Sequence, residues 1–118
     1  MVEPTVLGAV PTTARVWREE VFGPVVSVRT FGAFDEAIEL ANDSDYGLQA
    51  GVFTDDVSEA LQACRELHFG GVLINEVPTV RADLQPYGGF KESGRGREGP
   101  AWAVRELSQE KFISWQGR

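Results

Sequence analysis

The sequence predicts an α/β protein: a βαβαβ run with a parallel sheet and flanking helices, closed by a short apolar strand at the end of the chain. Three observations carry this. β-Branched segments recur at 25–31, 50–54 and 72–75. Apolar residues between them repeat at helical spacing. Glycine or proline punctuates the junctions, and strands alternating with helices favour parallel pairing through right-handed crossovers.

Taken in order, "TVLGAV" (5–10) is a strand candidate with no evident partner in the βαβαβ run. "VVSVRTF" (25–31) is β-branched and bounded by Gly23-Pro24 and Gly32. In "FDEAIELAND", Phe34, Ala37, Ile38 and Ala41 fall on one helical face, and Asp35 and Glu36 stand in the first turn, where negative charge favours the helix dipole. The chain turns at Gly47 and continues as a strand at 50–54. In "DVSEALQACREL", Val57, Ala60, Leu61 and Cys64 repeat the apolar spacing, and Asp56 with Glu59 resembles a capping box. Gly70-Gly71 ends that helix and "VLIN" (72–75) follows. A Gly- and Pro-rich loop runs from Glu76 to about Gly96. "EGPAWAVREL" then reads as a helix with Pro100 in its first turn, and "KFISWQ" as the closing strand.

With 118 residues the chain is long enough for one domain with a core. Its net charge of −7 argues against a nucleic-acid partner, which calls for a basic footprint. No apolar run reaches the length of a membrane span, and the N-terminus lacks the pattern of a secretory signal. One cysteine, Cys64, and one histidine, His68, permit neither an intrachain disulfide nor a Cys/His zinc site. The single thiol suits a cytoplasmic location. Cys64, mid-helix on the apolar face, is expected to be a buried structural thiol, and His68 a surface residue past the helix end.

"SGRGREG" (93–99) matches G-x-G-x-x-G letter for letter, but its context fails. The loop "QPYGGFKE" precedes it instead of a strand, and Ser114 stands where the ribose-binding acid belongs. The glycines are expected to shape a tightly turning loop, not to cradle phosphate.

Two segments together carry a resemblance: "EEVFGPVVSV" (19–28) and "GGVLINEVPTVRADLQPYGGFKESGRGREGP" (70–100). They resemble the C-terminal signature regions of the NAD(P)-dependent aldehyde dehydrogenase superfamily, and "AFDEAIELANDSDYGLQAGVFT" between them is similar to that family as well. The wording of the second segment resembles members acting on lactaldehyde, glyceraldehyde 3-phosphate or phosphonoacetaldehyde. The resemblance implies the C-terminal part of the family's catalytic domain at 1–109 and a C-terminal oligomerisation strand at 110–118. Family members are several times longer, and their cysteine nucleophile, general-base glutamate and dinucleotide-binding domain lie upstream of the "EEVFGPV" region. The chain is therefore expected to be a fragment: no catalytic residue of its own, no activity alone, and no tightly bound cofactor, while the parent uses NAD or NADP to oxidise a small aldehyde.

The resemblance also assigns candidate site residues. Glu20 would accept hydrogen bonds from the hydroxyls of the nicotinamide-side ribose, although by composition Glu19-Glu20 is an ordinary solvated pair. Phe22 would pack near the nicotinamide, although a core phenylalanine is the plainer reading. Asn75 and Tyr87 match positions near the substrate tunnel. Arg81 has the planar fork to pair with an anionic substrate group, against the simpler reading of a surface arginine. Phe112, Ile113 and Trp115 would face a homo-oligomer interface, and an apolar edge without a partner promotes self-association. The alternative is a non-catalytic interaction module derived from the same fold.

Overall fold

The computed structural model describes residues 1–117; Arg118, the last residue of the expected 110–118 segment, lies outside them. Ten short elements follow one another: β1 (Thr5–Gly8), α1 (Arg15–Arg18), β2 (Val25–Val28), α2 (Phe34–Asn42), β3 (Tyr46–Gly47), β4 (Gln49–Val52), α3 (Val57–Glu66), β5 (Gly71–Ile74), β6 (Phe90–Lys91) and α4 (Pro100–Glu106). They fall into two compact units. The first holds residues 1–45 and 54–68; the second holds residues 46–53 and those from 69 onward.

In the first unit β1 and β2 pair in parallel, with Thr5 opposite Val25 and Gly8 opposite Val28. The opening strand thus has a partner after all: β2 pairs with β1, outside the expected βαβαβ run. β2 ends at Val28, three residues short of the expected segment. Arg18 ties the unit together. Its Nε donates to the Thr12 carbonyl, Nη1 to the Asp43 backbone and Oδ1, and Nη2 to Asp43 Oδ2 at 2.7 Å. That grip joins α1 to the end of α2. Asp43 raises the Arg18 pKa, chiefly through the hydrogen bond.

α2 and α3 join through polar contacts as well. Asn42 donates to the Glu66 carbonyl at 2.7 Å and accepts from the His68 N–H at 2.8 Å, so the end of one helix caps the end of the other. Gln62 donates to Asp35 at 2.6 Å. α2 buries Ile38, with Phe34, Ala37 and Ala41 half-buried beside it, the face its spacing predicts. α3 does not follow its spacing. Ala63 and Leu67 are buried, while Val57 is 72% and Leu61 50% exposed. Cys64 is exposed too, which corrects the expectation of a buried thiol. The helix buries the stripe that carries Ala63 and Leu67, whereas the more apolar stripe stays exposed.

In the second unit β4 and β5 pair in parallel, Gln49 opposite Gly71 and Val52 opposite Ile74. Parallel neighbours require a crossover, and in sequence α3 supplies it. The α/β class therefore stands, with its parallel ladders divided between the two units. The loop after β5 is more ordered than its composition suggests. β6 pairs antiparallel with β3, and Tyr87 bridges Glu98. Close backbone approach explains the glycines: a β-carbon at Gly70 would lie 1.6 Å from the Gly88 carbonyl oxygen, and one at Gly88 2.3 Å from that of Gly96. Gly99, at φ 124°, starts α4, with Pro100 in the first turn. Residues 108–117 form no strand, so "KFISWQ" remains an expectation about a larger assembly.

Candidate functional site

Glu20 and Phe22 lie in the first unit, in the connection from α1 to β2. This segment makes two three-residue turns, Gly23 N–H to Val21 carbonyl and Val25 N–H to Gly23 carbonyl, both at 2.8 Å. The Thr5 N–H holds Pro24 from the other side at 2.8 Å. The two neighbouring glutamates part company here. Arg15 donates to both oxygens of Glu19, Nε and Nη2 each at 2.8 Å. That hydrogen bond holds Glu19 below the usual carboxylate range against an opposing desolvation, with a lesser coulombic attraction from the same arginine. Glu20 is exposed, and no protein donor reaches its carboxylate among the described residues. Phe22 is 94% exposed, which leaves its ring without cover and overturns the reading as a core residue. Beside this turn a shallow hollow of about 360 Å³ is lined by Val16, Trp17, Glu19, Val21 and Val25. Glu19 as an internal partner was legible only as an arginine four residues earlier on a short helix, a pairing too common to signal a site.

Asn75, Arg81 and Tyr87 lie in the second unit. Asn75 follows the carboxyl end of β5 with φ +55°, and its N–H extends the ladder to the Val52 carbonyl at 2.7 Å. Asparagine tolerates this left-handed conformation better than most residues. Arg81 and Tyr87 come together, with the guanidinium carbon 4.6 Å from the ring centroid. Glu98, unforeseen from sequence, completes the cluster: Arg81 Nη2 donates to its Oε2 at 2.6 Å. Tyr87 and Glu98 exchange both backbone hydrogen bonds, at 3.1 and 2.6 Å, so their side chains leave the same face of the bridge. Tyr87, Glu98, Arg97 and the surrounding glycines border a hollow of about 260 Å³. Arg97 is tied to the Gly89 and Gly96 carbonyls and lies 5.0 Å over Phe90, as a brace for the loop. No group of three or more His, Cys, Asp or Glu side chains stands ready for a metal among the described residues. No helix among them is long and apolar enough to cross a membrane.

Comparison with known proteins gives the family. The aldehyde dehydrogenase family matches residues 1–113, and the chain belongs to that family. It is 47% identical over 110 residues to the 3-sulfolactaldehyde dehydrogenase of Priestia aryabhattai, covering 93% of this chain and 23% of that protein. Among solved structures it is similar to the P. syringae indole-3-acetaldehyde dehydrogenase in complex with NAD+, with a TM-score of 0.85 and 42% identity over 92% of this chain and 22% of that one. It is also similar to the glyceraldehyde-3-phosphate dehydrogenase of Methanocaldococcus jannaschii complexed with NADP, with a TM-score of 0.82 and 39% identity over 90% and 23%. The chain thus spans less than a quarter of the length of these relatives.

Proposed function

We propose that this chain contributes part of an NAD(P)-dependent aldehyde dehydrogenase that oxidises a small aldehyde to its carboxylic acid. The observation that carries this is the division between adjacent glutamates: Arg15 occupies Glu19, and Glu20 stays open beside the uncovered ring of Phe22. These residues fit a nicotinamide dinucleotide, because an ionised carboxylate accepts from two ribose hydroxyls and a bare aromatic face meets a planar ring. When bound, the dinucleotide would supply the hydride acceptor. Glu20 would orient the ribose and Phe22 would limit the position of the ring. Asn75, Arg81 and Tyr87 would face the substrate.

The chain alone would be inactive and would hold no cofactor tightly. Its single thiol, Cys64, sits mid-helix in "LQACREL", which does not resemble the family's nucleophile segment. A cytoplasmic setting fits that lone thiol. The test has two arms. The purified chain, given lactaldehyde with NAD or NADP, should form no NADH or NADPH; measurable turnover would overturn the inactivity. Spliced into 3-sulfolactaldehyde dehydrogenase in place of the matching segment, it should support turnover. There, Glu20→Gln should raise the KM for the dinucleotide about tenfold while kcat changes little, the scale of one hydrogen bond to a charged group. An unchanged KM would remove Glu20 from the site.

A second reading is a non-catalytic interaction or oligomerisation module. It rests on the exposed Phe112, Ile113 and Trp115 in a segment without a strand partner. Co-purification with a full-length family member, combined with failure of the spliced enzyme, would favour it.

A further inference from the structure

We propose that Arg18 is a positioning residue for Glu20: its guanidinium anchors the end of α1 and so fixes the short segment that carries the open carboxylate. The inference rests on the ribose-binding reading of Glu20 and goes beyond it, because Arg18 acts through the backbone and not on the ligand.

α1 does not hold itself in place. A helix of four residues closes too few backbone bonds to repay its nucleation. Arg18, its last residue, supplies ties from its side chain. Nε donates to the Thr12 carbonyl, ahead of the helix. Both terminal nitrogens reach the Asp43 carboxylate, Nη1 to Oδ1 and Nη2 to Oδ2, at 2.7 Å each, and Nη1 also donates to the Asp43 carbonyl at 3.0 Å. The fork thus joins the approach to α1, the end of α1 and the residue that caps α2. Two-point pairing of a planar guanidinium fixes an angle as well as a distance, which a single ammonium contact does not.

Glu20 follows two residues later, and the chain beyond it is anchored as well. The Thr5 N–H donates to the Pro24 carbonyl at 2.8 Å, which ties that end to β1. Residues 19–23 therefore run between two fixed points, Arg18 and Pro24. The Glu20 carboxylate is exposed, so the backbone that carries it sets its direction. Fixed ends lower the entropy that a ligand must remove when it orders such a segment. Arg15 does not replace this anchor, because its fork pairs with Glu19 inside the same short helix. The Arg18 and Asp43 side chains are 37% and 53% exposed. An ion pair this open adds little to global stability, so its loss acts on the segment and leaves the unit folded.

The experiment has two readouts. In the isotopically labelled chain, NMR relaxation should give residues 19–23 the backbone order of β2. Arg18→Met should lower that order while the amides of Ile38 and Leu67 keep theirs. In the splice into 3-sulfolactaldehyde dehydrogenase, Arg18→Met should raise the KM for the dinucleotide about two- to tenfold, the cost of ordering one or two side chains on binding, with little change in kcat or in the KM for the aldehyde. Loss of fold would instead lower kcat and leave both KM values as they were. Arg18→Lys, which keeps the charge and loses the fork, should fall between parent and Arg18→Met, and Asp43→Asn should follow Arg18→Met. Because Arg18 acts through Glu20, adding Arg18→Met to Glu20→Gln should raise KM by less than the product of the two separate factors. Full multiplication of those factors overturns the proposal, as does an unchanged amide order or a dinucleotide KM that stays at the parent value in Arg18→Met. An unchanged KM in Glu20→Gln removes the ribose-binding reading itself, and the proposal with it, so the two failures are told apart by which variant is silent.

Discussion

Arg15 reaches across one turn of α1 and takes both oxygens of Glu19, and this leaves the next carboxylate, Glu20, to solvent. The pairing has a pH signature. The hydrogen bond from Arg15 lowers the folded pKa of Glu19 below its ordinary 4.5. A depressed carboxylate contributes stability that is fully present above the unfolded value and lost as pH falls through the folded one. The carboxyl carbon of Glu19, followed by NMR, should therefore titrate below 4.5 and return toward it in Arg15→Met; a midpoint at or above 4.5 in the parent chain would contradict the contact. Which glutamate is free was beyond the sequence. "REE" offers two equivalent carboxylates, and only the phase of a four-residue helix decides which one Arg15 meets.

α3 shows the limits of pattern at the next scale. Asp56 accepts from the Ser58 N–H at 2.6 Å and the Glu59 N–H at 3.4 Å, so it is the N-cap that the sequence predicts. The reciprocal half of the capping box is missing: Glu59 accepts from the Thr54 hydroxyl, and that hydroxyl accepts from the Asp56 N–H at 3.1 Å. Asp56→Ala should cost about 1 kcal/mol in denaturant unfolding, the usual value of a cap, and Asp56→Ser considerably less. Helix ends were legible because capping is local. The buried face was not, because Val57, Leu61 and Cys64 compete with Ala63 and Leu67, and only tertiary packing decides between them. The same reasoning applies to β1, whose partner lies beyond α1, and to β6, whose two residues find β3 across more than forty positions of chain.

At the scale of the whole molecule, the buried hydrophobic residues are Val10, Ile38, Ala63 and Leu67, and no large side chain is fully enclosed among the described residues. Many large apolar side chains are exposed, including Phe112, Ile113 and Trp115, the last 88% exposed. Light scattering should find mass above the monomer, and the double change Ile113→Lys with Trp115→Lys should move it toward the monomer; a parent chain that is monomeric at all concentrations would remove this segment as an interface. The sequence by itself determined the α/β class, the Asp56 cap and the family, and it supplied Glu20, Phe22, Asn75, Arg81 and Tyr87 as candidates, because caps, turns and motif spacing act over a few residues. Tertiary structure alone decided that β1 accompanies β2, that Cys64 faces outward, that Glu19 is taken while Glu20 is open, and that Glu98 meets Arg81. Each of these depends on groups distant in sequence, or on the phase of a helix, and no local pattern encodes which of several chemically equivalent partners will be in reach.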